Sequence, residues 1–288
     1  MAISIAHLGP SGTYAESAAL AYAEWLGQQT GEKIELYPCP SIAQTLRTAA
    51  AGEVEFAVVP VENSIEGSVT VTLDTLWQLD ALRVQRALVL PILHALLSSA
   101  SIITAIQTVY SHPQALAQCQ GWLEKYLPHA QLIPTNSTTE ALEYLDKDPT
   151  TGAIASQRAA QLYNLPVLAH PINDHPDNCT RFWVLNLQPL SQGSHTSLAF
   201  SLPANTPGAL VQPLQIFAKR KINLSRIESR PTKRSLGEYL FFIDIEASIG
   251  SDSVRSALQE LQTCTETLKI LGSYDIMQMK AHASEPNR

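Results

Sequence analysis

The sequence predicts an α/β protein of two similar lobes with a cleft between them, followed by a smaller C-terminal unit. In the first two thirds of the chain, short apolar runs alternate with helical patterns, as in βαβ units around a largely parallel sheet. In the last third, the order strand, helix, strand, strand, helix, strand is that of the split βαβ arrangement. A polar segment with Pro and Gly separates the two parts.

The first lobe begins with a predicted strand over residues 3–8, which the Gly-Pro-Ser-Gly turn ends. An alanine-rich helix starts near Thr13. The stretch IELYPC is the next strand, and Ser41 is a suitable N-cap for the helix that follows it. Residues 56–61 form the third apolar run and complete this βαβαβ pattern.

The second lobe repeats the pattern. The sequence predicts helices in PQALAQCQGWLEKYL, STTEALEYLDKD and QRAAQLYN, and strands in TVYS, QLIP and GAIAS. The strand at 181–187 would bring the chain back to the first lobe. Ligands of such folds lie outside the carboxyl ends of the strands, so the cleft between the lobes is the predicted site.

In the C-terminal unit, the predicted strands are TSLAFSLP, INLSRIESRP, EYLFFIDIEA and TLKILGSYD, and the helices are PGALVQPLQIFAKRK and SDSVRSALQELQTC. These patterns divide the chain into four parts. They are a two-lobed domain over residues 1–188 (lobe one about 1–78 plus 166–188, lobe two about 79–165), a linker over 189–195, the C-terminal domain over 196–280 and a polar tail over 281–288.

Composition excludes several classes of protein. With 288 residues, 45% of them hydrophobic and 16% charged, the chain is typical of a folded protein with a large core. A net charge of −7 disfavours a general electrostatic grip on nucleic acid. The N-terminus does not resemble a secretory signal, and Pro91 and His94 break the most apolar stretch, which is too short to cross a bilayer. We expect a cytoplasmic protein without nucleic-acid or membrane partners.

The four cysteines are far apart in the sequence, at positions 39, 119, 179 and 264. Wide spacing in an acidic chain without a signal peptide favours free thiols in a reducing compartment. Residues 170–182 hold two histidines among carboxylates and amides. Their irregular spacing and two prolines do not build a ligand pair on a helix, so we expect no metal site.

Polar residues follow several predicted strands. "GPSGTYAE" (9–16) opens a helix, where free N–H groups suit an anion, although a tight strand-to-helix turn explains it equally well. "VPVENSIEGSV" (59–69) places Glu62, Asn63 and Ser64 at a strand end. Asn and Ser are also common turn residues.

Two further loops repeat this placement. "YSHPQALAQC" (110–119) sets Ser111 and His112 before a helix that starts with Pro113, and "TNSTTEAL" (135–142) sets Ser137 and Thr138 at another helix start. Each serine could simply cap its helix, and His112 could be a surface histidine. Four polar loops at four strand ends nevertheless indicate a common site.

Together these loops resemble one family. The ordered set "GPSGTY", "PVENSIEGSV", "LPILHALL", "SHPQALAQC", "NSTTEAL", "GAIAS" and "NCTRF" is similar to prephenate dehydratase over nearly all of residues 3–187. "PGAL" (207–210) and "ESRP" (228–231) resemble the ACT domain that follows it in the family. There are two departures, Tyr14 for a frequent Phe and Val61 for a frequent Ile, and we expect neither to touch a polar group or to affect the activity.

The resemblance implies a fold and a reaction. The fold is a two-lobed, periplasmic-binding-protein-like catalytic domain with an interlobe cleft, plus a ferredoxin-like βαββαβ (ACT) domain. The reaction removes the ring hydroxyl and ring carboxylate of prephenate to give phenylpyruvate, water and carbon dioxide, and aromatisation drives it without a cofactor. Because the chain opens directly on the first strand, we expect no chorismate mutase before it.

The resemblance also implies roles for residues. Thr180 of the Thr-Arg-Phe motif would protonate the leaving hydroxyl, Arg181 would bind a substrate carboxylate, and Phe182 would be a pocket wall or part of the core. Candidate substrate contacts are Asn63, Ser64, Gly67, Ser111, His112, Gln114, Ser137, Thr138 and Phe182. Phenylalanine, as allosteric inhibitor, would contact Pro207, Gly208, Ala209, Leu210, Glu228, Ser229 and Arg230.

Some alternatives stay open at this point. PGAL could be only a helix start, and ESRP only a solvated strand end. Arogenate dehydratase shares the chemistry, and a non-catalytic amino-acid sensor shares the two lobes. We expect a homodimer or homotetramer through the ACT and catalytic domains, while the sequence does not decide the effect of other amino acids such as tyrosine.

Overall fold

The computed structural model describes residues 2–145, 148–189 and 192–279. The predicted tail, residues 281–288, lies outside the described residues, as does part of the predicted linker. None of the helices in the described ranges combines the length and the apolar character needed to cross a membrane. All four cysteines are free.

The first lobe is a mixed sheet with helices on its faces, and its first three strands pair in parallel. Its elements are β1 (Ile3–Leu8), α1 (Tyr14–Thr30), β2 (Ile34–Cys39), α2 (Ile42–Ala50), β3 (Phe56–Asn63), β4 (Gly67–Ser68), α3 (Thr70–Gln78) and β5 (Arg83–Pro91). The side chains of Thr13 and Ser41 cap α1 and α2 by accepting a backbone N–H three residues on. Both predicted helix starts are therefore confirmed.

The second lobe is a separate five-stranded sheet with the order β10-β6-β9-β7-β8. Its elements are β6 (His94–Leu97), β7 (Thr108–Ser111), α4 (Pro113–Ala117), α5 (Gln120–Tyr126), β8 (Gln131–Pro134), β9 (Thr151–Ser156), α6 (Gln157–Leu162) and β10 (Val167–Ala169). β7 runs parallel to β8 and β9, as the repeated pattern predicted.

The chain crosses between the lobes twice. β5 leads out of the first sheet, and β11 (Cys179–Asn186) returns to it as the antiparallel neighbour of both β5 and β3. This is the predicted two-lobed fold, but the lobe boundaries at residues 79 and 166 are wrong. β5 belongs to the first sheet because β11 pairs with it, and β10 still pairs with β6 in the second sheet.

The C-terminal unit has the predicted βαββαβ order. Its elements are β12 (His195–Ser201), α7 (Val211–Lys219), β13 (Leu224–Pro231), β14 (Tyr239–Ile245), α8 (Asp252–Cys264) and β15 (Thr267–Gln278). β15 is longer than predicted. It pairs with β12 as far as Tyr274 and then runs parallel to β5 from Asp275, so the strands of the unit and of the first lobe form one continuous sheet.

One apolar core accompanies this shared sheet. Trp183 of β11, fully buried, packs in the same cluster as Leu73 of the first lobe and Phe242 and Tyr274 of the C-terminal unit. Burial of this size stabilises by roughly 2 kcal/mol per large side chain. The C-terminal unit is thus packed on the first lobe rather than tethered by a linker alone. The outer domain boundaries, at 188 and 195, stay predictions.

The helix predicted over residues 113–127 is two helices, α4 and α5. The break follows from a cap: the Asp174 carboxylate accepts the backbone N–H groups of Gly121 and Trp122 at 2.8 and 2.9 Å. A carboxylate at this position stabilises a new helix start. The chain therefore bends at Gln118 and Cys119, a position that matters for the site described below.

Three other helices differ from the prediction. The described part of residues 137–148 contains only a short 3₁₀ helix, Glu140–Tyr144, and α7 begins at Val211 rather than at Pro207. α3 was not predicted, because its β-branched residues are poor helix formers and tertiary packing overrides that preference.

Gly272 permits the close approach of β15 to β5. Its φ is +152°, and a Cβ there would overlap the backbone of Val84. We expect Gly272→Ala to lower the free energy of unfolding by at least about 2 kcal/mol, since strain and overpacking add. Urea unfolding checks this, with Gly27→Ala as the control. Gly27 lies within α1, and its added Cβ would meet the nearest atom at 3.7 Å. Equal stability of the two variants would contradict the prediction.

Candidate active site

Thr180 lies near the start of β11, directly opposite Asn63 at the end of β3. The Asn63 Nδ2 donates a hydrogen bond to Thr180 Oγ1 over 2.9 Å. Thr180 is only 8% exposed, so the contact is well shielded from water. Because Oγ1 is the acceptor in this bond, the hydroxyl hydrogen of Thr180 is left for a different acceptor.

The Asn63 side chain is fixed at both ends. Its Oδ1 accepts the backbone N–H groups of Ile65 and Glu66, each at 3.0 Å. Its Nδ2 also contacts Asn178 Oδ1 at 2.9 Å and the Cys179 carbonyl at 3.2 Å. These contacts assign which end of the amide is nitrogen, and therefore the direction of the bond to Thr180.

Ser64 joins the same two strand ends. Its N–H donates to the Cys179 carbonyl, and its Oγ accepts the Cys179 N–H at 3.0 Å. Gly67 lies on the exposed turn into β4 with a φ of +81°, a conformation that glycine tolerates best. Ser64 therefore borders the Thr180 site, whereas Gly67 shapes its outer loop.

The second lobe contributes Gln118 to this network. Gln118 Oε1 accepts a hydrogen bond from Asn178 Nδ2 and contacts His94 Nε2, both at 2.9 Å. Gln118 Nε2 donates to Glu66 at 3.3 Å, and the hydroxyl of Tyr14 lies 3.1 Å from His94 Nδ1. Thr180 is thus the end of a polar chain that spans both lobes.

Sequence reasoning missed Gln118 and Asn178 and named Gln114 instead. Gln114 is exposed in the first turn of α4, while Gln118, four residues later, is 8% exposed and faces the cleft. Residues four apart share a helix face, so that spacing was the available signal. The bend between α4 and α5, which tertiary contacts create, decides that Gln118 is the residue that reaches the network.

Burial keeps His94 neutral. Desolvation lowers its pKa, and the hydrogen bond with Gln118 opposes that effect only in part. Since Gln118 presents its oxygen to Nε2, the neutral tautomer carries its hydrogen there, and Nδ1 accepts. The single hydrogen of the Tyr14 hydroxyl is shared between two acceptors, His94 Nδ1 at 3.1 Å and the Leu93 carbonyl at 2.8 Å, and burial raises the pKa of this phenol. Tyr14, where the family often has Phe, therefore does touch polar groups.

The glycine-rich turn before α1 brings the lobes into contact. Ser156 Oγ, at the start of α6, donates to the Gly12 carbonyl at 2.7 Å, and the Gly12 N–H donates to Glu16. The backbone N–H of Gly12, one of the donors predicted to suit an anion, is therefore already bonded within the protein. Beside this contact, a cavity of about 580 Å³ lies between α1 and α6, and its lining includes Tyr14 and Arg158.

Other predicted contacts occupy the loops of the second lobe. Ser111 is buried and donates to the Ile154 carbonyl at 2.6 Å, and His112 caps α4 through Nδ1. Ser137 Oγ accepts the backbone N–H of the residue three positions on, and Thr138 is half-buried. The side chains of Ser111, His112 and Ser137 thus have local structural roles, which the sequence analysis had kept as the alternative.

Two assignments for the Thr-Arg-Phe motif need correction. Phe182 is 2% exposed and packs in the core under α1, so it is not a substrate contact. Arg181 points to the opposite face of β11 from Thr180, because neighbouring strand residues alternate. Its guanidinium is paired with Asp244 at 3.1 Å and Glu62 at 3.4 Å, and is not directed to a substrate carboxylate.

The residues predicted to bind phenylalanine lie in two places. Residues 207–210 form the turn before α7, and residues 228–230 lie on β13. Glu228 accepts a hydrogen bond from Ser68 at 3.0 Å, and Arg230 pairs with Asp74 at 3.1 Å. ESRP is therefore not a solvated strand end, since two of its residues contact the first lobe.

Comparison with known proteins gives two matched regions. The family model described as prephenate dehydratase matches residues 5–189, and the ACT domain model matches residues 196–262.

Individual relatives extend over nearly the whole chain. A bifunctional chorismate mutase/prephenate dehydratase of Aquifex aeolicus is 41% identical over 94% of this chain and 73% of its own length. A prephenate dehydratase of Lactococcus lactis subsp. cremoris is 36% identical over 95% and 98%. A crystal structure of prephenate dehydratase from Arthrobacter aurescens in complex with L-Phe superposes with a TM-score of 0.84 at 35% identity, covering 95% and 90%.

The neutral state of His94 makes stability sensitive to acid. Because its pKa is depressed in the folded state, the unfolded chain binds the proton first as the pH falls below about 6.5. Stability then decreases by up to about 1.4 kcal/mol per pH unit until the folded pKa is reached. We expect His94→Gln to lose less stability than the parent between about pH 7.5 and 5.5 in urea unfolding. The exposed His129→Gln is the control. Identical losses in the parent and His94→Gln would contradict this explanation.

Proposed function

The chain belongs to the prephenate dehydratase family, and from that premise we propose that it converts prephenate to phenylpyruvate, water and carbon dioxide with Thr180 as the proton donor. Family membership makes it a carbon–oxygen lyase with a C-terminal ACT domain. A non-catalytic sensor is therefore no longer an alternative.

One observation carries the assignment of Thr180. Its Oγ1 accepts from the fixed amide of Asn63, so its hydrogen can point to a leaving oxygen in the interlobe cleft. The nearby histidine is no competing acid, because burial lowers the pKa of His94 and keeps it neutral. The surrounding side chains are amides, which fix geometry without adding a formal charge.

The bond between the ring and its carboxylate breaks, its electron pair enters the ring, and the ring C–O bond breaks on the other side. The leaving oxygen takes the Thr180 proton and departs as water, and carbon dioxide is released. A proton from solvent then restores the hydroxyl. Positioned acid catalysis of this kind contributes roughly a hundred- to ten-thousand-fold.

The carboxylates of prephenate need other partners than Arg181. We propose the polar groups of the loops after β3, β7 and β8, with Ser64, His112 and Thr138 as candidates. Hydroxyl and backbone donors fixed by a fold bind an anion through hydrogen bonds without a full opposing charge.

We propose that phenylalanine regulates the enzyme through the ACT domain. The Arthrobacter aurescens relative was crystallised with L-Phe. In this chain, Gly208 has a φ of +83° and open space around its Cα, which suits a close approach of ligand to backbone. Glu228 could bind the ammonium group of the amino acid. Its hydrogen bond from Ser68 would then transmit the effect of ligand binding to the first lobe.

We also propose that the chain forms a homodimer or homotetramer through its ACT and catalytic domains. In the described sheet, β13 is an outer strand, and Ile227 on it and Tyr239 on β14 are both more than 40% exposed. An outer strand offers unpaired backbone groups to a second copy. The cytoplasmic location stays a prediction from the sequence.

Arogenate dehydratase is the alternative within the same chemistry, since arogenate differs from prephenate only by an amine in place of the ketone oxygen. Parallel rate measurements with both substrates decide between them, and a higher kcat/KM for arogenate would overturn the proposed substrate.

Removing the Thr180 hydroxyl should abolish most of the activity. We expect Thr180→Ala to lower kcat by about a hundredfold or more, while Thr180→Ser, which keeps the hydroxyl, retains much of the rate. Phenylpyruvate formation, followed by its absorbance in alkali, measures both. Thr30→Ala, at the exposed end of α1, is the control. A Thr180→Ala enzyme within about tenfold of the parent would show that another group is the acid.

L-Phenylalanine should lower the rate of prephenate turnover and give a measurable heat of binding. The D-enantiomer is the control, because it exchanges the positions of the ammonium group and the side chain. Titration calorimetry and the phenylpyruvate assay, run on the same sample, check both effects. Absence of heat and of inhibition at saturating L-phenylalanine would remove the regulatory proposal.

A further inference from the structure

We propose that Arg181 is a positioning residue that ties the strand carrying Thr180 to the C-terminal domain through Asp244. The inference deepens the proposed function and rests on it for its kinetic readout. It makes the geometry of the Thr180 site depend on a carboxylate that lies in another domain and faces away from the cleft.

The contacts of Arg181 are on the rear face of β11. Its Nη1 donates to Asp244 Oδ2 at 3.1 Å, and its Nη2 lies 3.4 Å from Glu62 Oε2. The Arg181 side chain is 22% exposed, and that of Asp244 is 1% exposed. A charge pair this far from water is costly to break on one side, so it constrains the strand strongly.

Asp244 is itself held in place. Ser197 on β12 donates to Asp244 Oδ1 at 2.5 Å, and the Tyr274 hydroxyl lies 2.6 Å from Ser197 Oγ. Arg226 on β13 adds a second guanidinium at 3.5 Å. The anchor for Arg181 therefore involves all four strands of the C-terminal unit.

The position of Glu62 explains why the catalytic strand needs this anchor. Arg181 pairs with Glu62, and the next pair along the two strands is Thr180 with Asn63. The register shifts between Arg181 and Phe182, so the Thr180 end lies beyond a β-bulge. A bulge interrupts the ladder between β3 and β11, and the Arg181–Glu62 ion pair on the Thr180 side of it supplies an additional constraint on the Thr180–Asn63 distance.

The same cluster reaches the proposed effector site. Arg226 Nη2 donates to Ser68 Oγ at 3.1 Å, and Ser68 in turn donates to Glu228 at 3.0 Å. Arg226 also lies 3.9 Å from Glu62. A ligand that draws Glu228 away from Ser68 would therefore disturb the charges around Arg181. This chain of contacts gives the ACT domain a physical route to Thr180.

The variants Asp244→Asn and Arg181→Lys test the proposal. Neither should change substrate contacts, so we expect kcat for prephenate to fall about tenfold or more while KM stays within about threefold, since small misplacements of a catalytic group slow the chemistry. The double variant should be no slower than the slower single variant, because both changes remove one interaction.

The matched control is Asp74→Asn. Asp74 also forms an ion pair across the domain interface, with Arg230, but on α3 and away from β11. It should leave kcat unchanged. If Arg181→Lys raises KM while Asp244→Asn keeps the parent kcat, Arg181 acts on the substrate directly and the proposal is wrong.

A second readout is independent of activity. Hydrogen exchange of the backbone amides near Thr180 and Asn63 should be faster in Asp244→Asn than in the parent or in Asp74→Asn. If the parent fails to turn over prephenate, the proposed function fails, yet the exchange result still tests the anchor. Should Asp244→Asn not fold, Arg181→Lys, which leaves Asp244 paired with Arg226, serves in both measurements. Unchanged exchange in a folded variant overturns the inference.

Discussion

The pairing of β11 between β3 and β5 is the constraint on which the rest of the structure depends. This one strand directs Thr180 towards the cleft, Arg181 towards the C-terminal domain, Phe182 into the core under α1 and Trp183 into the core shared by two domains. Because side chains alternate between the two faces of a strand, the orientation of any one of these four residues fixes the orientation of the other three. A shift of register by one residue would exchange them all.

The site at the end of β11 is polar but has little formal charge. Asn63, Asn178 and Gln118 are amides linked to one another, and His94 completes the chain in its neutral form. Amides satisfy buried donors and acceptors without the desolvation penalty of ions. The arrangement suits the orientation of one hydroxyl group, while the Arg181 guanidinium lies on the opposite face of β11.

Charged residues are concentrated instead at the interface between the first lobe and the C-terminal domain. Arg181, Arg226 and Arg230 all pair there with carboxylates, and β15 continues the sheet from one domain into the other. Backbone pairing, a common apolar core and ion pairs thus connect the same two bodies. The ACT domain is therefore in direct contact with the strand that carries Thr180.

The sequence by itself determined the two-lobed α/β fold, the βαββαβ unit, the helix start near Thr13, the helix cap at Ser41 and the polar loops at strand ends. These follow from local periodicity and from groups that act within a few residues. The direction in which each loop residue points does not follow from local sequence. Gln118, and not the predicted Gln114, reaches the polar network because Asp174, which is distant in the sequence, caps the start of a new helix.

Only the tertiary structure decided which groups Arg181 contacts, since the local sequence around an arginine at a strand end does not indicate which face of the sheet its side chain occupies. The lobe boundary depended likewise on β5 finding a partner almost ninety residues later in β11, and α3 formed against its own propensity through packing. Local sequence patterns do not predict long-range strand pairing, because the interactions that stabilise it are formed between segments that are far apart in the sequence.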